Sequence, residues 1–191
     1  MVASGLLLGL LPGVRRPKPP EEGIIARLSA EAFEEAKACG RAGAECATAP
    51  YLVCPSENAR YSIRVATPFS RVASAALDAV QSGRPGRGMD RANANRWGIG
   101  VYVLPAERSA EAAGIESVEI RRDGQVIRPL TTTVGPIAVP MPDGSSRRLD
   151  RGYFAFPPGT FAPTSDVTMA LFGSSGESAC IITRGQLEKL R

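Results

Sequence analysis

The sequence predicts an α+β domain, a mostly antiparallel β sheet or sandwich with one amphipathic helix packed on it and short helices near the two ends. Three observations predict it. Apolar and polar residues alternate over residues 60–66 and through most of the chain beyond Glu107. Two Asp-Gly pairs, the signature of tight hairpins, lie between such runs. Only residues 68–82 carry a long, clear helical period. With 191 residues, 43% of them hydrophobic, the chain can bury a core without metals, and its 20 Gly and 16 Pro suit many turns between short strands. Residues 1–22 read as an N-terminal arm or partial signal segment, and residues 23–191 as a single α+β domain.

Residues 5–11 are apolar and are followed by Pro12, Gly13 and a Pro/Arg-rich stretch. The run is too short to span a bilayer but has the length of a signal-peptide core. No positive segment precedes it and no small-x-small cleavage site follows cleanly, so an apolar arm packing on the domain is the alternative. Ser29 is placed to cap a helix through Glu31, Phe33 and Lys37, with Leu28 and Phe33 forming a hydrophobic staple and Gly40 as the stop.

Cys39, Cys46 and Cys54 crowd into a segment with little periodic apolar sequence, and Cys180 lies far downstream. Four cysteines allow three pairings. The preferred one joins Cys39 to Cys46 and Cys54 to Cys180, and four reduced thiols in a cytoplasmic protein are the alternative. No Cys-x-x-Cys pair is present, so neither a zinc site nor a thioredoxin-type motif is expected.

Tyr61, Ile63 and Val65 against Ser62 and Arg64 read as a half-buried strand. Thr67 and Pro68 then cap and open a helix whose face of Phe69, Val72, Ala73, Ala76, Leu77 and Val80 should lie flat on a sheet; Gly83 stops it. A polar connection runs to about Arg96, and residues 97–104 form the next strand, with Ile99, Val101 and Val103 on one side. The pair Asp123-Gly124 suits a two-residue hairpin that sets Ile120 opposite Ile127 and Glu119 opposite Arg128. Asp143-Gly144 separates residues 137–141, held to an edge or irregular strand by Pro140 and Pro142, from a strand over 147–156. Residues 166–172 pair with 177–183 across Gly173-Ser174-Ser175-Gly176, turning Cys180 inward with Ile182. Thr183 and Gln186 form a capping box for a last short helix that docks Leu187 and Leu190.

Histidine is absent, which removes Ser-His-Asp and Cys-His catalysis and every imidazole metal site. Gly173-Ser174-Ser175-Gly176 is one residue short of a nucleophile elbow and reads as a hairpin loop. None of the three lysines completes Ser-x-x-Lys, and Gly98 and Gly100 lie inside a predicted strand, so no dinucleotide site follows. Carboxylate catalysis would need two of Asp78, Asp90, Asp150 and Asp166 brought together without any pattern that selects them. No catalytic residue, cofactor or metal is expected.

The formal net charge is +4, and Lys18, Lys37 and Lys189 are the only lysines among 23 basic residues. That Arg bias suits either an anionic partner or a GC-rich genome. The candidate binding loop is the connection holding Arg84, Arg87, Arg91, Asn93, Asn95, Arg96 and Trp97. Its glycines let a backbone approach a ligand, Arg forks grip carboxylate or phosphate, and Trp97 offers a stacking face. Tyr153, Phe154, Phe156 and Phe161 form an aromatic cluster read chiefly as core. The expected function is a non-catalytic, extracytoplasmic (secreted or periplasmic) binding module for a protein or another cell-envelope component, with no transmembrane span. An intracellular anion or nucleic-acid binder using the Arg-rich connection is the alternative, and a small carboxylate-dependent hydrolase comes after it.

Overall fold

The computed structural model describes residues 24, 26–54, 61–83, 89–105, 115–140, 145–174 and 176–191. In chain order they form α1 (Ala30–Ala42), α2 (Ala44–Ala47), a 3-10 turn (Ala49–Tyr51), β1 (Tyr61–Ala66), α3 (Pro68–Ser82), α4 (Arg91–Arg96), β2 (Ile99–Pro105), β3 (Ile115–Arg122), β4 (Gln125–Ile127), β5 (Thr131–Pro140), β6 (Ser146–Phe156), β7 (Val167–Gly173), β8 (Gly176–Ile182) and α5 (Arg184–Leu187). The strands make two four-stranded antiparallel sheets, ordered β1-β2-β6-β5 and β4-β3-β7-β8. The result is a sandwich-like α+β fold. Residues 1–22, read above as an arm or signal segment, lie outside the described residues. Among the described residues no helix is long and apolar enough to cross a membrane.

One core joins the two sheets and the helices. Ile63, Val65, Val101, Val103 and Phe154 enter it from the first sheet, Val118, Ile120, Met169 and Ile182 from the second, and Phe69, Val72 and Leu77 from α3. Alternation along each strand explains the choice, because every second side chain points the same way. Edges are blunted locally. Leu52 bridges Arg64, and the Val53 N–H donates to the Ile63 carbonyl at 3.1 Å, covering β1. At the opposite edge, Pro136 and Pro140 of β5 carry no N–H to offer a further strand.

The tight hairpin at Asp123-Gly124 has the expected form. Both residues have positive φ, 48° and 76°, as a type I′ turn requires. Ile120 faces Ile127, and Arg128 Nε lies 3.2 Å from Glu119 Oε1. The Asp143-Gly144 turn lies outside the described residues, but the strands it joins are in register from Thr131 opposite Ala155 to Pro140 opposite Ser146. Val167 pairs with Ile182 and Met169 with Cys180, so Cys180 sits partly buried against the core. The Pro157–Pro163 region is held by Arg122, whose guanidinium donates to the carbonyls of Gly159, Thr160 and Ala162 and to the hydroxyls of Thr164 and Ser165.

Four local expectations are corrected. Gly40 does not stop α1; it lies inside that helix at its closest approach to α3, where a Cβ would stand 2.2 Å from the Ala73 carbonyl oxygen. The Ala73–Ala76 part of the α3 face is consequently spent on α1, and Phe69, Val72 and Leu77 join the shared core. The connection before Trp97 contains a helix, α4, capped by Asp90. β5 starts at Thr131, well before Ile137, because the three β-branched threonines extend the pairing with β6.

Both disulfides match the preferred pairing. Cys39–Cys46 ties α1 to α2 with Cα atoms 5.4 Å apart, and Cys54–Cys180 ties the segment before β1 to β8 with Cα atoms 6.3 Å apart. Beside the second, Gln186 Nε2 donates to the Val53 carbonyl at 3.2 Å. The capping box that places Gln186, with Thr183 N donating to Gln186 Oε1 at 2.9 Å, is the one expected for the last helix.

Candidate functional site

The connection singled out in the sequence becomes α4 and its C-cap, Trp97. Arg84 and Arg87 lie outside the described residues. Asn93 serves the helix cap, its N–H donating to Asp90 Oδ1 at 2.8 Å and its Nδ2 to Asp90 Oδ2 at 2.7 Å. Asn95 reaches across to Leu28, accepting its N–H on Oδ1 at 2.7 Å and donating Nδ2 to its carbonyl at 3.4 Å. An amide side chain here replaces a strand partner and fixes the chain just before α1. Both asparagine side chains are thus engaged by the protein's own groups, Asn93 at the surface and Asn95 partly buried. Arg91 and Arg96 remain exposed, and the Trp97 residue is 55% exposed.

Trp97 is held from beneath. The Thr67–Ser70 capping box opens α3 and sets Arg71 one position beyond the box. Arg71 is only 8% exposed. Its Nη1 donates to the Gly98 carbonyl at 2.5 Å and its Nη2 to the Tyr153 hydroxyl at 2.7 Å, while that hydroxyl donates to the Trp97 carbonyl at 2.9 Å. Two buried side chains from α3 and β6 therefore pin the consecutive carbonyls of Trp97 and Gly98. Burial pushes the Tyr153 hydroxyl pKa up, with the Arg71 charge acting against it. The phenol stays neutral and keeps the proton it donates. Arg71 makes only neutral hydrogen bonds and a cation–π contact 5.7 Å from the Tyr153 ring centre, an unusual placement for a buried cation.

From Trp97 a row of rings runs over the outer face of the first sheet. Trp97 meets Tyr153 edge to face at 6.2 Å, Tyr153 lies 4.8 Å from its cross-strand neighbour Tyr102, and Arg151 stands 5.7 Å above Tyr102. Glycine at position 100 makes room for this row, since a Cβ there would lie 2.3 Å from the Tyr153 ring. Arg64 is paired with Tyr102 on the same face, and its Nε is buried without a hydrogen-bond partner. On the other side of Tyr153, exposed Thr133 is its register partner in β5, and exposed Thr131 shares that face. Among the described residues no carboxylate makes an ion pair with Arg64, Arg71, Arg91, Arg96 or Arg151. The exposed Trp97 ring, the threonine hydroxyls and the exposed Arg151, which has no carboxylate partner among the described residues, suit adhesion to a ligand.

Sequence reasoning found Trp97 but missed its supports. Arg71 lies opposite the apolar stripe of α3 and reads as a solvent-facing residue. In the sequence Tyr153 clusters with Phe154, Phe156 and Phe161, yet strand alternation sends it to the outer face while Phe154 and Phe156 enter the core with Phe161. The pairing of Tyr153 with Tyr102 follows only from which strands are neighbours, which no local signal carries. Of the candidate acids, Asp90 caps α4, and Asp166 Oδ1 accepts the Arg184 N–H at 2.6 Å. Among the described residues no group of three or more Cys, Asp or Glu side chains is arranged to hold a metal ion. No protein-family model, curated protein or solved structure matches the chain.

Proposed function

We propose that the protein is a non-catalytic binding module that works outside the cytoplasm, periplasmic or secreted, and engages a protein or another cell-envelope component through the surface around Trp97. The observation that carries this reading is the large exposed ring of Trp97 fixed on a backbone that buried Arg71 and Tyr153 hold in place. Exposed aromatics on rigid supports are strong binding anchors, because little conformational freedom is left to lose on association. The two disulfides support the compartment, since such bonds persist where the environment is oxidising. The use of Asp90 and Asp166 as backbone caps supports adhesion over acid–base chemistry.

The experiment pairs fractionation of the producing cells with equilibrium binding of the purified protein to their envelope fraction. Recovery outside the cytoplasm, with saturable binding that Trp97→Ala weakens about tenfold or more, is expected. Recovery in the cytoplasm, or envelope binding indifferent to Trp97→Ala, contradicts the reading. Cytoplasmic recovery together with salt-sensitive binding to nucleic acid would transfer the role to the Arg-rich connection.

A further inference from the structure

Resting on that reading, we infer that the ligand of the Trp97–Tyr153–Tyr102 face is an acidic polysaccharide whose carboxylates are taken by Arg151 and Arg96 while a sugar ring lies against Trp97. Charge is the first argument. Among the described residues Arg64, Arg71, Arg91, Arg96 and Arg151 have no carboxylate partner, whereas the arginines of the second sheet do: Arg121 meets Glu177 at 2.9 Å and Arg128 meets Glu119 at 3.2 Å. Of the former group, Arg71 is buried and Arg64 half-buried, so its exposed cations, without a carboxylate partner among the described residues, are Arg91 and Arg96 on α4 beside Trp97 and Arg151 on β6. Guanidinium forks match carboxylates in bidentate fashion.

Shape and lining chemistry supply the second argument. The rings continue from the α4–β2 junction across β2 and β6, and the exposed hydroxyls of Thr131 and Thr133 flank them on β5. Tyr153 is buried within this row and Arg151 stands over Tyr102, so the exposed Trp97 ring is the stacking surface, with Arg151 and the exposed threonines lying along the sheet beyond it. The Trp97 ring receives the C–H face of a sugar ring, threonine hydroxyls exchange hydrogen bonds with sugar hydroxyls, and the exposed arginines select the acidic units. A nucleic acid would use the same rings and cations, but the disulfides favour a compartment where acidic glycans are the common polyanions.

The test uses the full chain and polygalacturonate, with dextran, poly-glutamate and a single-stranded oligothymidylate as comparisons. Trp97 is the only tryptophan, so its emission reports on this face alone. Polygalacturonate is expected to shift that emission saturably, with affinity that falls as salt rises; dextran should not bind. Arg151→Ala and Trp97→Ala, both at exposed positions and read by calorimetry, should each weaken binding about tenfold, and Trp97→Phe should restore most of it. Poly-glutamate or oligothymidylate binding as tightly as polygalacturonate would overturn the inference in favour of charge alone. No binding of polygalacturonate, or binding unchanged by both variants, would also overturn it. Either failure with the chain still recovered outside the cytoplasm would leave the general reading standing.

Discussion

The two disulfides close loops of very different size, and this difference sets a quantitative expectation. Cys39–Cys46 spans a sequence separation of 7, and Cys54–Cys180 one of 126. Treating each bond as a restriction on the unfolded chain, loop entropy assigns about 2.4 kcal/mol to the short loop and about 5 kcal/mol to the long one at 25 °C. The native-state cost of replacement is similar, since each bond has one buried cysteine, Cys39 or Cys54, and one more accessible partner. Replacing Cys54 and Cys180 together by alanine should therefore destabilise the protein by about 2.5 kcal/mol more than replacing Cys39 and Cys46. Against a typical total of about 5–15 kcal/mol, loss of the long-range bond removes a large share of the stability. Urea titrations of the oxidised protein and both double variants measure this, and the long-loop variant should also show a larger denaturant slope because its unfolded chain is more expanded. Equal losses, or a larger loss for Cys39–Cys46, would refute the loop-entropy reasoning.

Gly40→Ala should destabilise by about 1–3 kcal/mol in urea titration, because its Cβ would meet Ala73 O at 2.2 Å and Ala76 Cβ at 2.6 Å; the same change at a solvent-facing helical glycine stabilises by about 1 kcal/mol, so the sign alone is decisive. Tyr153→Phe removes the hydroxyl shared by Arg71 and the Trp97 carbonyl and should cost about 1–3 kcal/mol while shifting the emission of Trp97. Burial raises Tyr51 to about 12, with hydrogen bonds to Arg191 and Thr67 acting against it. The folded state then holds the phenolic proton more tightly than the unfolded one, so stability is intact below pH 10 and declines as pH rises from about 10 to about 12, at up to about 1.4 kcal/mol per unit. Thermal unfolding of wild type and Tyr51→Phe across that window should show a shallower decline in the variant.

Features written in neighbouring residues were legible in the sequence. The bounds of α3 follow from Thr67, Pro68 and Gly83, and the register of the Asp123-Gly124 hairpin follows from the need to match Ile120 with Ile127 and Glu119 with Arg128. The disulfide pairing was reachable because a clustered pair and a distant inward cysteine leave few sensible combinations. Features that depend on distant packing were not legible. Gly40 looks like a helix stop until α3 is brought against it, Asn95 looks like a ligand-binding amide until Leu28 is placed beside it, and Arg71 looks solvated until Gly98 and Tyr153 close over it. The start of β5 did have a local signal, the β-branched run Thr131–Thr133, which the prolines of the same strand obscured.

Export with both disulfides formed is read from the intact mass of the protein from its native host after alkylation of free thiols, taken with and without reduction. No alkylation before reduction and four alkylated cysteines after it are expected, in material recovered outside the cytoplasm. Four cysteines alkylated before reduction, in a cytoplasmic fraction, would contradict export and make the Arg-rich connection the first surface to test against polyanions.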